Sequence, residues 1–330
     1  MKYIAVLDTS IMSFNIGDQI IMESARKGLA PILNDAFVVN LPTHSPMFHW
    51  WEFSFKRNDS LSQNLSKLDL KFVCGTNLLE KNMKKRKNTW NLHMMDTHYI
   101  KDVVLVGVGT DKLDKIENKY TEKLYKRILS HEYIHSTRDE KTKELLESMG
   151  FKAINTGCPT LWGLDKTVCE QIPTTKSEKV IFTITDYTPN LEKDKKMLDI
   201  LFDNYKEVFC WIQGSQDVEY LQKMNLKDKN IQYISPSLAA YNEFLEREKT
   251  CDYVGTRLHG GIKAMQKLHR AIIIGVDNRA YDMHKSYNLN YISRENIEDL
   301  EDMINKPINT DIKIDINKIN EFLGQFISYE

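Results

Sequence analysis

The chain has 330 residues, 42% of them apolar and 28% charged, and a formal net charge of -1. At about 150 residues per domain this predicts two globular domains and excludes a disordered or fibrous chain. The near-zero net charge excludes a global field that would draw the chain to nucleic acid or to an acidic membrane, so any anion binding must be local.

In chain order, "YIAVLD" (3–8) reads as a strand, and the apolar run around it is too short for a signal peptide. "IIMESARKGLAPIL" follows, with Ile21, Ala25, Leu29 and Ile32 at helical spacing. "AFVVNL", "LKFVCG" and "DVVLVGVG" are strands, "YTEKLYKRIL" a helix, "YIHST" a strand and "EKTKELLESM" a helix closed by Gly150. "KAINTG" is a further strand. The near-continuous Val/Ile/Leu runs suit strands buried on both faces of a parallel sheet.

"TVCEQIPTTKSEK" is polar, carries a proline and lacks an apolar period, so a domain boundary belongs there. The pattern then restarts with strand "VIFTIT", helix "EKDKKMLDILFDNY" and strands "VFCWIQG" and "IQYIS". Helix "AAYNEFLERE", strand "CDYVG", helix "IKAMQKL", strand "AIIIGV", strand "NYIS" and a final helix, "INKINEFLGQFI", complete it. The expected fold class is α/β: two Rossmann-like, doubly wound domains facing a cleft. The expected bounds are 1–165 for an N-terminal domain, 175–310 for a C-terminal domain and 311–330 for a C-terminal helix. Ligands in such folds sit at the carboxyl ends of the strands.

Five cysteines are scattered without C-x-x-C spacing, which argues against a zinc site and a disulfide framework and for reduced thiols in a cytoplasmic protein. No stretch approaches the roughly 20 apolar residues of a membrane span. The expectation is a soluble protein with at most peripheral membrane association, no metal and no nucleic-acid partner.

Three strand-to-helix turns can carry chemistry. In "FNIGDQII", Gly17 permits the turn and Asp18 stands where an N-cap belongs; the alternative is that Asn15 and Asp18 meet a neutral, polar ligand such as a sugar hydroxyl. In "STRDEKT", Ser136 or Thr137 can cap a helix with Asp139 and Glu140 in its first turn, leaving Arg138 either solvated or facing a ligand. In "TRLHGG", Gly260 and Gly261 allow a sharp turn and close backbone approach, and the helix amides that follow favour an anion. Arg257 adds a permanently charged planar fork and His259 a group that exchanges a proton near neutral pH. The plain alternative is a glycine turn with a surface-paired arginine and a packed histidine. Two weaker features are the aromatic segment Phe48 to Phe55, read as a core segment, a lid or a sugar platform, and the basic run Lys81 to Asn88, read as a solvated loop or a contact for a polyanion.

Asn15-Ile16-Gly17-Asp18, Arg138-Asp139 and Arg257-Leu258-His259-Gly260, in this order, resemble the polysaccharide pyruvyl transferase family over residues 15 to about 285. The resemblance implies a fold of the glycosyltransferase B type, with the N-terminal domain on the acceptor side and the C-terminal domain on the donor side. It implies an activity that moves pyruvate from phosphoenolpyruvate onto two hydroxyls of one sugar, as a cyclic ketal, in a cell-surface polysaccharide or its lipid-linked precursor. It associates Arg138, Arg257 and His259 with the donor. Two arginines match the phosphate and the carboxylate of phosphoenolpyruvate, and His259 suits the proton donor. Catalytic roles are thus expected of His259, Arg257 and Asp18, the last as a base. Substrate contacts are expected of Arg138, Arg257, His259, Gly260, Gly261, Asn15 and Gly17. No cofactor is expected beyond phosphoenolpyruvate as donor substrate. The partners are that donor and a saccharide or lipid-linked saccharide, with homo-oligomers compatible and a cytoplasmic site that extends to the inner face of the membrane. The competing readings are a nucleotide-sugar-dependent glycosyltransferase of the same fold and a non-catalytic glycan-binding homologue. The chain departs from the family's pattern at "CGTN", which has Gly75 alone, and at Cys158-Pro159-Thr160.

Overall fold

The structure, a computed structural model, describes residues 1–48, 64–65, 67–85, 90–110 and 115–327. It divides into two compact units. The first comprises Met1–Ser13, Ile21–Trp162 and Asp315–Glu330, and the second Phe14–Ile20 and Gly163–Ile314. Strand "YIAVLD" and its neighbours form as their apolar runs predict.

In the first unit, β1 (Lys2–Asp8), β2 (Ala36–Pro42), β3 (Leu70–Cys74) and β5 (Val103–Val106) make a parallel sheet in the order β2-β1-β3-β5. Short β4 (Asn77–Leu79) pairs with β6 (Gly109–Thr110), and β7 (His135–Thr137) with β8 (Ala153–Asn155). Side chains of β7 continue the main sheet past β5. His135 Nδ1 accepts from the amide of Leu105 at 3.1 Å, and Ser136 Oγ accepts from the amide of Gly107 at 2.8 Å. His135 Nε2 then donates to the Ser130 carbonyl at 2.8 Å, so only the neutral ring tautomer satisfies both bonds. Burial pushes that imidazole pKa down to about 4. The core of this unit includes Leu7, Val73, Trp90, Leu105, Leu124 and Leu146. The helix Ile316–Gly324 joins it through Phe322, and Phe326 beyond the helix stands edge-on to Phe72 at 4.9 Å.

In the second unit, β9 (Lys179–Thr183), β10 (Glu207–Trp211), β11 (Ile231–Ile234), β12 (Asp252–Gly255), β13 (Ala271–Gly275) and β14 (Tyr291–Ser293) form one parallel sheet. Its order is β11-β10-β9-β12-β13-β14. The chain runs outward from β9 in one direction and, after crossing back, from β12 in the other. The strand order therefore reverses between β9 and β12, and an open α/β sheet places its ligand crevice at that reversal. Val180, Phe182, Val254, Ile272 and Ile274 are fully buried, as strands covered on both faces require.

Helices form at four places that the apolar pattern leaves open. The polar segment taken for a linker holds a helix, Lys166–Gln171, capped by Asp165, whose carboxylate accepts from the Val168 amide. The helices Asp217–Gln222, Asn278–Tyr287 and Leu300–Asn305 also form where no apolar period was evident. Of the aromatic segment, Phe48 alone is among the described residues, and it is buried against Tyr99. Of the basic run, Lys81 pairs with Glu117 at 2.8 Å and Lys84 lies over the Tyr120 ring, while 86–88 fall outside the described residues.

Candidate functional site

Arg257 stands one residue past β12, after Thr256, and occupies the N-cap position of the helix Leu258–Gln266. Its amide donates to Thr183 Oγ1 at 3.2 Å, and its carbonyl accepts from the Tyr253 hydroxyl at 2.6 Å. β9 and β12 thus clamp its backbone from both sides of the reversal point. The guanidinium is just as constrained. Nε donates to Asp217 Oδ2 at 3.0 Å and to the Ile184 carbonyl at 3.2 Å. Nη2 reaches Asp186 Oδ1 at 2.9 Å and also Asp217 Oδ1. The group lies 4.3 Å from the centroid of the Tyr187 ring, a cation–π distance. Burial opposes its charge, but the bonds and charge of Asp217 outweigh that cost and raise its pKa.

Asp217 is held in turn by the amide of Gly214 at 2.7 Å and by that of Asp186 at 3.1 Å. A Cβ at Gly214 would stand 2.1 Å from Arg257 Nη2, so a larger residue there would displace the guanidinium.

The turn "TRLHGG" is shorter than its glycines suggest. Helix begins at Leu258, and Gly260 and Gly261 lie inside it with no positive φ. Their function is close packing. A Cβ on Gly261 would meet Ile273 Cδ1 at 2.2 Å and the Tyr253 ring at 2.6 Å. Helical geometry also removes the extended segment in which Arg257 and His259 would share a face. His259 instead sits in the first helical turn, 7% exposed.

Asp18 is not an N-cap. The helix Ile16–Gly28 starts two residues earlier, and the Asn15 side chain accepts from the Gly17 amide at 3.0 Å. The turn is pinned to the loop after β10. Ile16 donates to the Gln213 carbonyl at 2.9 Å, Ser215 donates to the Phe14 carbonyl at 3.0 Å, and Gln213 Nε2 donates to Asn15 Oδ1 at 2.9 Å. Gly17 leaves room for that Gln213 amide, which a Cβ would meet at 2.7 Å.

Asn15, Tyr187, Gln213, Arg257, His259 and Arg279 line one small recess at the strand ends of this unit. The space open to a water-sized sphere is about 30 Å³, room for about two waters at ~10–15 Å³ each. Gly17, Asp18, Gly260 and Gly261 do not line it.

Arg279 lies outside the three motif turns. It lies in the first turn of the helix Asn278–Tyr287, after β13, where Asp277 is the N-cap. The Asp277 carboxylate accepts from Arg279 Nε at 3.0 Å and Nη2 at 2.6 Å. Burial pushes Asp277 up, but these bonds pull it below its usual range. The positive charge of Arg257 acts on Arg279 from nearby. The signal in the sequence was "VDNRA": an apolar strand end, a capping aspartate and an arginine, the same grammar as the other two arginine turns.

Arg138 belongs to the first unit. Its amide donates to the Val108 carbonyl at 3.0 Å, and its guanidinium lies against Gly109 and donates to Asn77 Oδ1 at 2.5 Å. The cap of the helix after it is Asp139, which accepts from the Thr142 amide at 2.8 Å. Ser136 and Thr137, expected to cap, are occupied elsewhere, with Ser136 on Thr156 and the Gly107 amide and Thr137 on the Asp139 carbonyl.

A second recess adjoins the first through Tyr187, which lines both. It encloses about 460 Å³ and is lined by Phe14, Asp186, Tyr187, Gly214, Ser215 and Gln216. Among the described residues, no group of three or more His, Cys, Asp and Glu side chains could hold a metal ion, and no helix is long and apolar enough to cross a membrane.

Comparison with known proteins identifies both family and fold. The family model for polysaccharide pyruvyl transferase matches residues 15–278. Among curated proteins none matches the chain by sequence. Of solved structures, the S. aureus MnaA–UDP co-structure is 14% identical over 98% of this chain and 95% of that one, with a TM-score of 0.54. UDP-N-acetylglucosamine 2-epimerase from Rickettsia bellii is 10% identical over 99% of this chain and 94% of that one, with a TM-score of 0.50. At such identities the likeness carries the fold alone: α/β, with parallel Rossmann-like sheets, of the glycosyltransferase B type.

Proposed function

The chain belongs to the polysaccharide pyruvyl transferase family and is a transferase, and from that premise we propose that it moves pyruvate from phosphoenolpyruvate onto two hydroxyls of one sugar. The observation that carries this reading is the recess at the β9/β12 reversal, where Arg257, Arg279 and His259 converge. Two permanent cations beside two helix N-termini suit a small ligand with a phosphate at one end and a carboxylate at the other. Arg138 enters the reading only through the motif that associates it with the donor.

Arg257 is already neutralised by Asp186 and Asp217. In this reading it fixes the electrostatics of the recess and carries one anionic end of the donor alongside its carboxylates. In this reading Arg279 is the partner that moves. Its side chain is 37% exposed and held by a single carboxylate, so it can swing from Asp277 to admit a donor larger than the present space.

The reaction then balances as follows. A proton from His259 adds to the vinyl CH2 carbon of phosphoenolpyruvate, making it a methyl group and leaving an oxocarbenium-like centre at the adjacent carbon. One sugar hydroxyl forms a C–O bond to that carbon and gives up its proton. The C–O bond to phosphate breaks, and phosphate leaves with the bonding pair. The second hydroxyl forms the other C–O bond and gives up its proton, closing the ketal. Of the two protons released, one restores His259 and one goes to phosphate. Asp277 lines this recess but is taken up by Arg279, whereas Asp186 lines the adjoining recess and pairs with Arg257 at 2.9 Å, so we assign Asp186 the base role in place of Asp18. The acceptor is a saccharide of a cell-surface polysaccharide or its lipid-linked precursor, met in the cytoplasm.

Thermal shift against phosphoenolpyruvate and a panel of nucleotide sugars tests the donor. Stabilisation by phosphoenolpyruvate that is lost in Arg257→Ala supports the reading. Stabilisation by a nucleotide sugar alone transfers the assignment to a glycosyltransferase of the same fold.

A further inference from the structure

The second recess has a composition unlike the first. Phe14 is 79% exposed and Tyr187 52% exposed. Single exposed aromatics are ordinary on protein surfaces. Here two of them line one concavity of about 460 Å³, within the roughly 300–1,000 Å³ range of small-molecule sites. Phe14 has no ring partner among the described residues, although the backbone around it is tied down by the Ser215 amide and by the Asn15–Gly214 bridge. Exposing a ring on a fixed support forgoes the benefit of burying it.

The polar groups of the recess point to one ligand chemistry. No lysine, arginine or histidine lines it, and Asp186 contributes a carboxylate. An anion is therefore disfavoured there. Ser215 and Gln216 are exposed, and their side chains make no hydrogen bond among the described residues. Flat apolar faces, a carboxylate and open hydroxyl and amide groups together fit a neutral pyranose ring. Its C–H face packs on aromatic carbon, and its hydroxyls donate to carboxylate and amide oxygens.

We propose that this recess seats the sugar ring of the acceptor, stacked against Phe14 and Tyr187 with a hydroxyl donated to Asp186. That this sugar is the acceptor rests on the pyruvyl-transfer reading above; that a sugar binds here does not. Tyr187 and Asp186 make the link between the two recesses. Tyr187 lines both, and Asp186 lines the neutral recess while pairing at 2.9 Å with Arg257 in the cationic one. A hydroxyl bound to Asp186 is thereby brought next to the group that holds the donor.

Saturation-transfer NMR with the full chain and methyl glycosides of the common hexoses and N-acetylhexosamines, each at 20 mM, tests it. At least one glycoside is expected to receive saturation through its ring C–H protons, and Phe14→Ala should weaken that glycoside about tenfold. Phe14→Tyr should restore binding, which a merely structural role for position 14 would not predict. Phosphoenolpyruvate affinity, measured by thermal shift on the same samples, should be unchanged in Phe14→Ala. No transfer from any glycoside, or equal transfer in wild type and Phe14→Ala, overturns the proposal. Sugar binding that is sensitive to Phe14, in a protein that ignores phosphoenolpyruvate, upholds the sugar site and overturns the donor assignment instead.

Discussion

The recess that Tyr187 shares with Arg257 and the recess that it shares with Phe14 lie on the same loops yet differ in what they can hold. The first gathers Arg257, Arg279 and His259 around about 30 Å³ of open space, with its charges locked onto Asp217, Asp186 and Asp277. The second encloses about 460 Å³ with two exposed aromatic rings, a carboxylate and no cation. The proposed reaction, with an anionic donor and a neutral acceptor, needs this segregation, because a cation placed in the second recess would hold donor there unproductively. The contrast also shows where reorganisation is needed. The second recess is open as it stands, whereas in the first both arginines are paired with carboxylates that the proposed donor has to displace.

The strongest way to break the comparison is to remove the chemistry and keep the binding. His259→Ala should lower acceptor-dependent phosphate release by about two to four orders of magnitude, with phosphoenolpyruvate still raising the melting temperature. An unchanged rate would take His259 out of the mechanism. Asp217→Ala attacks the scaffold of the cationic recess. It leaves Arg257 buried with only Asp186, and losing one partner of a buried pair costs about 3–5 kcal/mol. Urea denaturation followed by circular dichroism should show that loss, and a change below 1 kcal/mol would mean that Asp186 alone suffices.

Acid sharpens the comparison from outside the site. His135 titrates near 6.5 when unfolded and at about 4 when folded. Between those values the unfolded chain binds a proton that the folded chain does not. Stability therefore falls as pH drops from 6.5 to 4, by about 3 kcal/mol in all. Hydrogen exchange, corrected for intrinsic rates, should show β5 and β7 losing protection over that window while the segment 211–217 keeps it. Uniform loss would contradict a local cause at His135. The smallest expected effect is at the mouth of the cationic recess. Arg279→Ala should weaken phosphoenolpyruvate about tenfold, one charged hydrogen-bonding partner, and leave methyl glycoside binding unchanged.

Much of this molecule is legible in its sequence, and the illegible parts share a cause. Strands such as β1, β5 and β13 announce themselves as apolar runs, because burial on both faces leaves no alternation to disguise them. Arg257 and His259 stand out because a strand end needs neither. The glycines after them misled: Gly260 and Gly261 look like a turn, yet they exist so that a helix can lie against Tyr253 and Ile273, a contact far away in sequence. Asp186 and Asp217 decide the charge state around Arg257 from 71 and 40 residues away, and no local pattern marks them. Arg279 is readable in "VDNRA" but opens a helix whose buried positions, Ala280, Met283 and Tyr287, make a thin stripe. Phe14 carries no signal in the sequence, because an exposed ring belongs to no period.

The most direct test of two recesses serving one reaction is NMR of the protein mixed with phosphoenolpyruvate and lipid-linked or free saccharides in deuterium oxide. The account predicts acceptor-dependent phosphate release and a new ketal methyl signal carrying one deuterium, delivered from His259 to the former vinyl carbon. Phosphate release without the ketal, or turnover of a nucleotide sugar with phosphoenolpyruvate untouched, would contradict it.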